Sequence, residues 1–262
     1  MHGGLLVKRG KTNLRCKYSL YLHRKSVKVR ARSEMARARN SVRRASKRDP
    51  LTRERILRTA IRLADEEGLE SLSMRRLAQE LGVEAMSLYN HVESKDDLLD
   101  GIVDLVVSEI EVPTIGGADW KTAMRKRATS AHEVFLRHPW APMLVGSRVN
   151  VGPAMLRYVN ATLGCLREAG FSYELADRAW NAIDSHVYGF TIQELNFPLD
   201  PSEYASAAKM FLPKLPADEY PYMRALTELV IEGSHRGLHD FQFGLELLLD
   251  GLERLRQQCS SA

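Results

Sequence analysis

The stretch Ser73 to Val92, S-M-R-R-L-A-Q-E-L-G-V-E-A-M-S-L-Y-N-H-V, holds the residues best suited to recognising another molecule. Ser73 is placed to cap a short helix whose inner side carries Leu77, Ala78 and Leu81, and Gly82 ends it. Two helices meeting at a large angle need a small residue where their backbones approach, and Ala78 supplies it. Four positions later the link needs a left-handed residue, which Gly82 adopts without a Cβ clash. Leu77, Leu81, Val83 and Leu88 fill the wedge between the helices. This is the spacing of a helix-turn-helix. The competing reading is a plain helical hairpin. Against it, the segment Glu84 to Val92 is too short and polar to serve packing alone: beyond Ala85, Leu88 and Val92 it presents Met86, Ser87, Tyr89, Asn90 and His91 outward. In a DNA major groove, Ala85 and Met86 reach thymine methyls, Ser87 and Asn90 bond base edges, and the Tyr89 hydroxyl holds a phosphate. Met74, Arg75 and Arg76 open the preceding helix where it would cross the sugar-phosphate backbone; the two arginines are phosphate contacts or a solvated face. His91 is a groove residue or an ordinary surface histidine.

Catalysis has little support. The sequence contains no G-x-S-x-G, H-E-x-x-H, G-x-x-x-x-G-K-[ST] or G-x-G-x-x-G. Asp184, Ser185 and His186 are consecutive, and helix neighbours point about 100° apart, so they form no triad among themselves. Cys16, Cys165 and Cys259 lie far apart, without a C-x-x-C pair, which argues against a zinc ribbon, a redox motif and a disulfide scaffold. A reducing cytoplasm is the expected compartment, with no metal and no cofactor. No run approaches the roughly 20 apolar residues of a spanning helix, so no membrane role is expected.

The elements that must position the motif read as helices throughout. Asp49-Pro50 punctuates, Thr52 is a candidate cap, and Ile56, Leu57, Ala60, Leu63 and Ala64 recur at helical spacing up to a stop at Gly68. Ser94 followed by Asp97 forms an acidic capping box for a helix carrying Leu98, Leu99, Ile102, Val103, Leu105 and Val106. Gly116-Gly117 marks a break near 111–119. Longer amphipathic segments follow at roughly 120–137, 153–169, 173–196, 221–233 and 240–257. Between 197 and 221 lie five of the ten prolines, with one short helix capped by Ser202 expected among them. The expected class is all-α, divided into a basic, disordered extension (1–48), a three-helix helix-turn-helix domain (49–110) and a helical bundle (111–262).

Two segments of the larger half suggest further roles. In the last helix, Phe241, Leu245, Leu248, Leu252 and Leu255 follow four- and three-residue steps, with Gly244 and Gly251 beside them. That is a homodimer seam, or a face buried inside one subunit. Helix 173–196 offers Trp180, Ile183, His186, Val187, Phe190 and Glu194, which fits a ligand pocket or an ordinary core helix.

Charge is strongly uneven. Of 38 Lys and Arg, 16 lie in residues 1–48 against the single acid Glu34; the remaining 214 residues carry 22 bases and 32 acids. A basic segment on an acidic body points to an anionic polymer. Met35 would serve equally well as initiator, leaving Arg37, Arg39, Arg43, Arg44, Lys47 and Arg48. The apolar content of 44% and charged content of 27% are those of a globular chain.

The stretch 52–110 resembles the DNA-binding domain of the TetR family of bacterial transcriptional regulators through I-L-R-T-A at 56–60, L-A-Q-E-L-G-V at 77–83, L-Y-N-H-V at 88–92 and K-D-D-L-L-D at 95–100. The resemblance implies that Tyr89 and His91 lie at the DNA surface and that Lys95 contacts phosphate. The larger half resembles the tetracycline-repressor-like branch through L-V-G-S-R at 144–148, R-E-A-G-F-S at 167–172 and F-G-L-E-L-L-L-D-G-L-E at 243–253. It implies a half that binds a small inducer and dimerises, with Leu144, Ser147 and Arg148 among the candidate ligand residues. Tetracycline repressors carry a magnesium-holding histidine where this chain has Leu144, so although Glu194 remains, a metal-free apolar or amphipathic ligand is expected. The combined reading is a homodimeric, ligand-responsive regulator, a repressor released by its inducer, on a palindromic double-stranded operator. A nucleoid-type or RNA-binding protein driven by its basic segment, and more remotely an enzyme, are the alternatives.

Overall fold

Thr52 accepts a hydrogen bond from the Arg55 amide and starts α1 (Arg53–Glu67), which Gly68 ends. The computed structural model describes residues 50–114, 119–235 and 240–260, and among these there is no strand. The expected disorder of residues 1–48 falls outside the described residues. Ser73 caps α2 (Met74–Leu81) through the Arg76 amide, and Gly82 sits at φ 70°, the left-handed conformation the turn requires. The short α3 (Ala85–Leu88) follows. Ser94 then caps α4 (Lys95–Val107) through the Asp97 amide, while the Asp97 carboxylate reaches back one residue further than expected, to the Glu93 amide.

The second half comprises α5 (Trp120–Arg137), α6 (Ala141–Gly146), α7 (Pro153–Glu168), α8 (Tyr173–Asn196), α9 (Tyr204–Phe211), α10 (Pro221–Glu232) and α11 (Phe241–Ser260). Helix α6, six residues long, was not expected, because it is too short to show a period. The cap assigned to Ser202 is corrected: Ser202 lies inside the 3-10 turn Pro201–Glu203 that leads into α9, and Glu203 accepts from the Asp200 amide ahead of it.

Ile56, Leu63, Leu77, Leu88 and Leu98 are buried where α1 to α4 meet. The same core continues through Val103, Val106 and Ile110 to Met124, Phe135, Leu166 and Ile183, so apolar packing does not stop at residue 110. Each such side chain contributes about 1.5–3 kcal/mol when fully buried. Polar bonds follow the same path. Arg148, just beyond α6, bonds Asp100 at 2.7 Å and Asp96 at 3.2 Å. The Asn150 amide nitrogen donates to the Asp100 carbonyl at 2.9 Å. Asp104 accepts from the Ala154 and Met155 amides and so caps α7 from α4.

Helix α11 has three faces. Phe241, Leu245, Leu249 and Leu252 are buried in this subunit's own core. Glu246, Asp250 and Glu253 bond Arg125 (2.5 Å), Lys121 (2.9 Å) and Trp120 Nε1 (3.0 Å) of α5. Phe243, Leu247 and Leu255 face outward, with Leu248 half-buried at the border. The expected dimer seam is therefore corrected: Phe241, Leu245 and Leu252 pack inside the subunit, and the exposed apolar row is turned from them. Gly244 serves the subunit too, since a Cβ there would lie 2.5 Å from the His186 ring of α8. A Cβ at Gly251 would meet only the Arg254 side chain, at 4.0 Å, so this glycine lies on the open side.

Candidate nucleic-acid interface and ligand site

The buried residues Leu88 and Val92 fix the inner side of the recognition segment, so its other side chains are turned out. Met86 is 74% exposed and Tyr89 45%, high values for apolar and aromatic groups beside a packed core. Asn90 is exposed, and Ala85, Ser87 and His91 are half-exposed. Arg75 and Lys95 are also exposed, at the openings of α2 and α4. Met86, Ser87, Tyr89, Asn90 and Lys95 thus lie on the turn-helix-turn of residues 82–95 with their side chains exposed or half-exposed, and Arg75 is exposed in the first turn of α2.

Two expected contacts differ. Arg76 is held by Glu67 at 2.6 Å and Glu80 at 2.9 Å, and its guanidinium stays charged with its pKa raised by these bonds. Glu80 also takes Arg62 at 2.6 Å. Arg76 is thereby a bridge between α1 and α2, a role neither phosphate contact nor solvated face describes. Met74 is half-buried, with its side chain packed against the core.

Arg53, which the sequence reading missed, clamps this surface. Its guanidinium bonds both Asp97 oxygens, at 2.8 and 2.5 Å, and the His91 carbonyl at 2.9 Å. The Arg53 bond holds the Asp97 carboxyl below the usual carboxylate range. One side chain thus fixes the end of the recognition segment to the start of α1 and α4.

In the bundle, the candidate ligand residues separate into groups. Arg148 is engaged with Asp96 and Asp100, and the Ser147 hydroxyl donates to the Leu144 carbonyl, so the 144–148 segment points its polar groups at α4 and at itself. Ile183 and Val187 are fully buried. His186 bonds the Phe241 carbonyl at 3.0 Å and stacks on the Phe241 ring at 5.0 Å. His132 of α5 stacks on the same ring at 4.2 Å, and Phe190 meets it edge-on at 5.5 Å. Burial holds the His132 imidazole below its ordinary pKa, although Glu194, 3.3 Å away, opposes this. Trp180 Nε1 donates to Asp184 at 2.6 Å.

Asp184 leads to a second residue the sequence reading missed. Arg127 of α5 is 0% exposed. Its Nη1 donates to Asp184 Oδ1 at 2.7 Å and to the Tyr158 hydroxyl. The available signal was register: Arg127 sits among Met124, Ala128 and Ala131, all on the inward face of α5.

Comparison with known proteins matches residues 56–102 to the family described as bacterial regulatory proteins, tetR family. Residues 112–256 match the tetracyclin repressor-like, C-terminal domain. The chain belongs to the TetR family. It is a DNA-binding transcriptional regulator by that membership. Among TetR-family relatives, it is 35% identical over 217 residues to the HTH-type transcriptional repressor DrrR1 of Streptomyces coeruleorubidus, covering 79% of each chain. It is 30% identical over 218 residues to the class C tetracycline repressor protein of Escherichia coli, covering 79% of this chain and 92% of that one. The Streptomyces coelicolor TetR-family protein ActR, solved in complex with actinorhodin, superposes with a TM-score of 0.67 at 33% identity over 79% of this chain and 99% of that one.

Proposed function

We propose that this TetR-family regulator represses transcription as a homodimer on a palindromic operator and leaves the DNA when a small, metal-free molecule enters its bundle. The observation that carries the reading is an outward Met86–Tyr89–Asn90 surface on a rigidly clamped segment, joined through α4 to a bundle rich in aromatic and buried polar groups. Similarity to DrrR1 and to ligand-bound ActR supports repression and ligand response. The DNA-facing set is Arg75, Ala85, Met86, Ser87, Tyr89, Asn90, His91 and Lys95; the dimer face is the outward row Phe243, Leu247 and Leu255 with Leu248 and Gly251. Its role is regulatory and not enzymatic. No described helix is long and apolar enough to cross a membrane, and we place the protein in the bacterial cytoplasm.

Helix α4 is the natural relay. Its Asp96, Asp100 and Asp104 hold residues 148–155 of the bundle, and its first turn holds the recognition segment through Arg53. A ligand that displaces 148–155 therefore moves the frame of the DNA-binding surface. Selection of bound sequences from random DNA, followed by footprinting against excess competitor, tests the reading. The expected result is two symmetric half-sites, their centres about 34–36 Å or a multiple apart. Binding without sequence selection, lost uniformly at modest salt, would overturn it.

A further inference from the structure

Among the described residues, no other arginine or lysine is buried as Arg127 is. One side of its guanidinium is fully engaged, with Nη1 on Asp184 and Tyr158, and Cζ lies 5.2 Å from the Tyr158 ring centre. The other side is not: Nε and Nη2, both buried, have no hydrogen-bond partner. These two nitrogens form one edge of the planar group, with parallel N–H bonds that match a pair of neighbouring oxygens. Asp184 cannot serve them, because it already accepts from Trp180 Nε1 at 2.6 Å and from the Tyr158 and Tyr188 hydroxyls at 3.3 and 3.5 Å. The cluster holds more donors than acceptors. A purely structural role explains this poorly: an apolar side chain of similar volume serves packing at least as well as a buried ion pair, and unmatched buried donors are costly.

We propose that the Nε–Nη2 edge of Arg127 is the anchor for the regulator's ligand, which presents two acceptor oxygens side by side on an aromatic body. A carboxylate provides that pair, and so does a carbonyl flanked by a second oxygen. The aromatic body follows from the rings gathered about the same ion pair: the Tyr158 and Tyr188 hydroxyls and Trp180 Nε1 all donate to Asp184, and the Phe135 ring lies 5.5 Å from that of Tyr188. This inference rests on the ligand-responsive reading above and names the ligand's chemistry.

The test uses the full chain and three probes: 1-naphthoate, the neutral 1-hydroxy-2-acetonaphthone, and naphthalene, which has no acceptor. The readouts are calorimetric affinity, the Arg127 Nε–H resonance (assigned by its loss in Arg127→Lys) and release of operator DNA. An oxygenated probe should bind, move that resonance downfield and release the DNA. Naphthalene should leave the resonance in place. Binding of 1-naphthoate alone identifies an acid, of the hydroxyketone alone a neutral ligand, and of both the shared oxygen pair. Arg127→Lys keeps the charge but loses the fork, and should weaken probe binding about ten- to a hundredfold with DNA binding intact. If that variant does not fold, an unmoved wild-type resonance at saturating concentrations of both oxygenated probes overturns the proposal. Equal binding of naphthalene with no loss in Arg127→Lys overturns it as well. Release of DNA by a probe that leaves the Arg127 resonance in place sinks the anchor while sparing the ligand-responsive reading. A moved resonance with DNA still bound supports the anchor and sinks that reading.

Discussion

Tyr89 stands out of the recognition segment with nothing in the subunit to explain its exposure, whereas its neighbour Leu88 is completely buried. Tyr89→Ala should therefore weaken operator binding by about tenfold or more, the value of a hydrogen bond to a charged group. Thermal stability should change by no more than about 0.5 kcal/mol, as at other surface positions. A large fall in melting temperature would show that the ring packs in the core. Arg76 predicts the opposite pattern. Replacing it with alanine removes the bridge between Glu67 and Glu80, and the loss should appear in stability more than in the salt dependence of DNA binding. The difference between these residues also shows what the sequence can convey. Tyr89 was legible because the helix-turn-helix spacing assigns its face. Arg76 was misread because its partner Glu67 lies on another helix, nine residues away, beyond any local pattern. Arg127 escaped for a similar reason: helical register marks it as inward, but only the meeting of α5, α7 and α8 reveals Tyr158 and Asp184.

At the scale of elements, α11 separates core from contact surface within a single period. Leu247 is 59% exposed and Leu245 completely buried, two residues apart. Leu247→Arg should give a folded monomer in sedimentation or sizing experiments, with operator binding lost alongside dimerisation. Leu245→Ala should instead cost the subunit about 2–5 kcal/mol of stability. Equal dimerisation by wild type and Leu247→Arg would exclude this face. The heptad-like spacing made the helix legible and left its orientation open, because four- and three-residue steps describe a seam and an internal stripe equally well. The end of α5 carries a different dependence. His138 bonds both Asp65 oxygens, at 2.9 and 3.0 Å, and lies 3.4 Å from Glu109. Burial opposes its charge, but Asp65 and Glu109 outweigh burial and raise its pKa above the ordinary 6.5. Protonated His138 thus contributes stability that is fully present below about pH 6.5 and lost as pH rises through the raised value. Burial likewise opposes the Glu109 charge, yet Arg137 and His138 hold its carboxyl below the usual 4.5, so its contribution is present above that value and lost as pH falls through the lowered one. Melting temperature should peak between roughly pH 4.5 and 6.5 from these groups. His138→Asn should flatten the decline on the alkaline side; an unchanged profile would remove His138 as its source.

For the whole molecule, charge is divided along the chain, and the division predicts separable contributions to DNA affinity. Deleting residues 1–48 removes 16 bases and leaves the recognition segment untouched. If those bases engage phosphates, each one adds about 0.9 to the slope of log affinity against log salt. The truncated protein should bind all sequences more weakly, with a shallower slope and an unchanged ranking of operator variants. A changed ranking would mean that the segment reads sequence, and an unchanged slope that it makes no contact. The body itself was well legible as an all-α chain, and α4 and α5 end and begin on either side of the break expected near 111–119, whose Gly116-Gly117 lies outside the described residues. The join between its halves was not legible, since only the fold brings Val106 and Ile110 into one core with Met124. That join has a consequence for chimeras. Asp96, Asp100 and Asp104 recur every fourth residue, and this ridge grips Arg148 and the start of α7. A DNA-reading half transplanted from another repressor onto this bundle would need the same acidic ridge. Without it, the hybrid should still sense its effector and still recognise its operator, but the two events would be uncoupled.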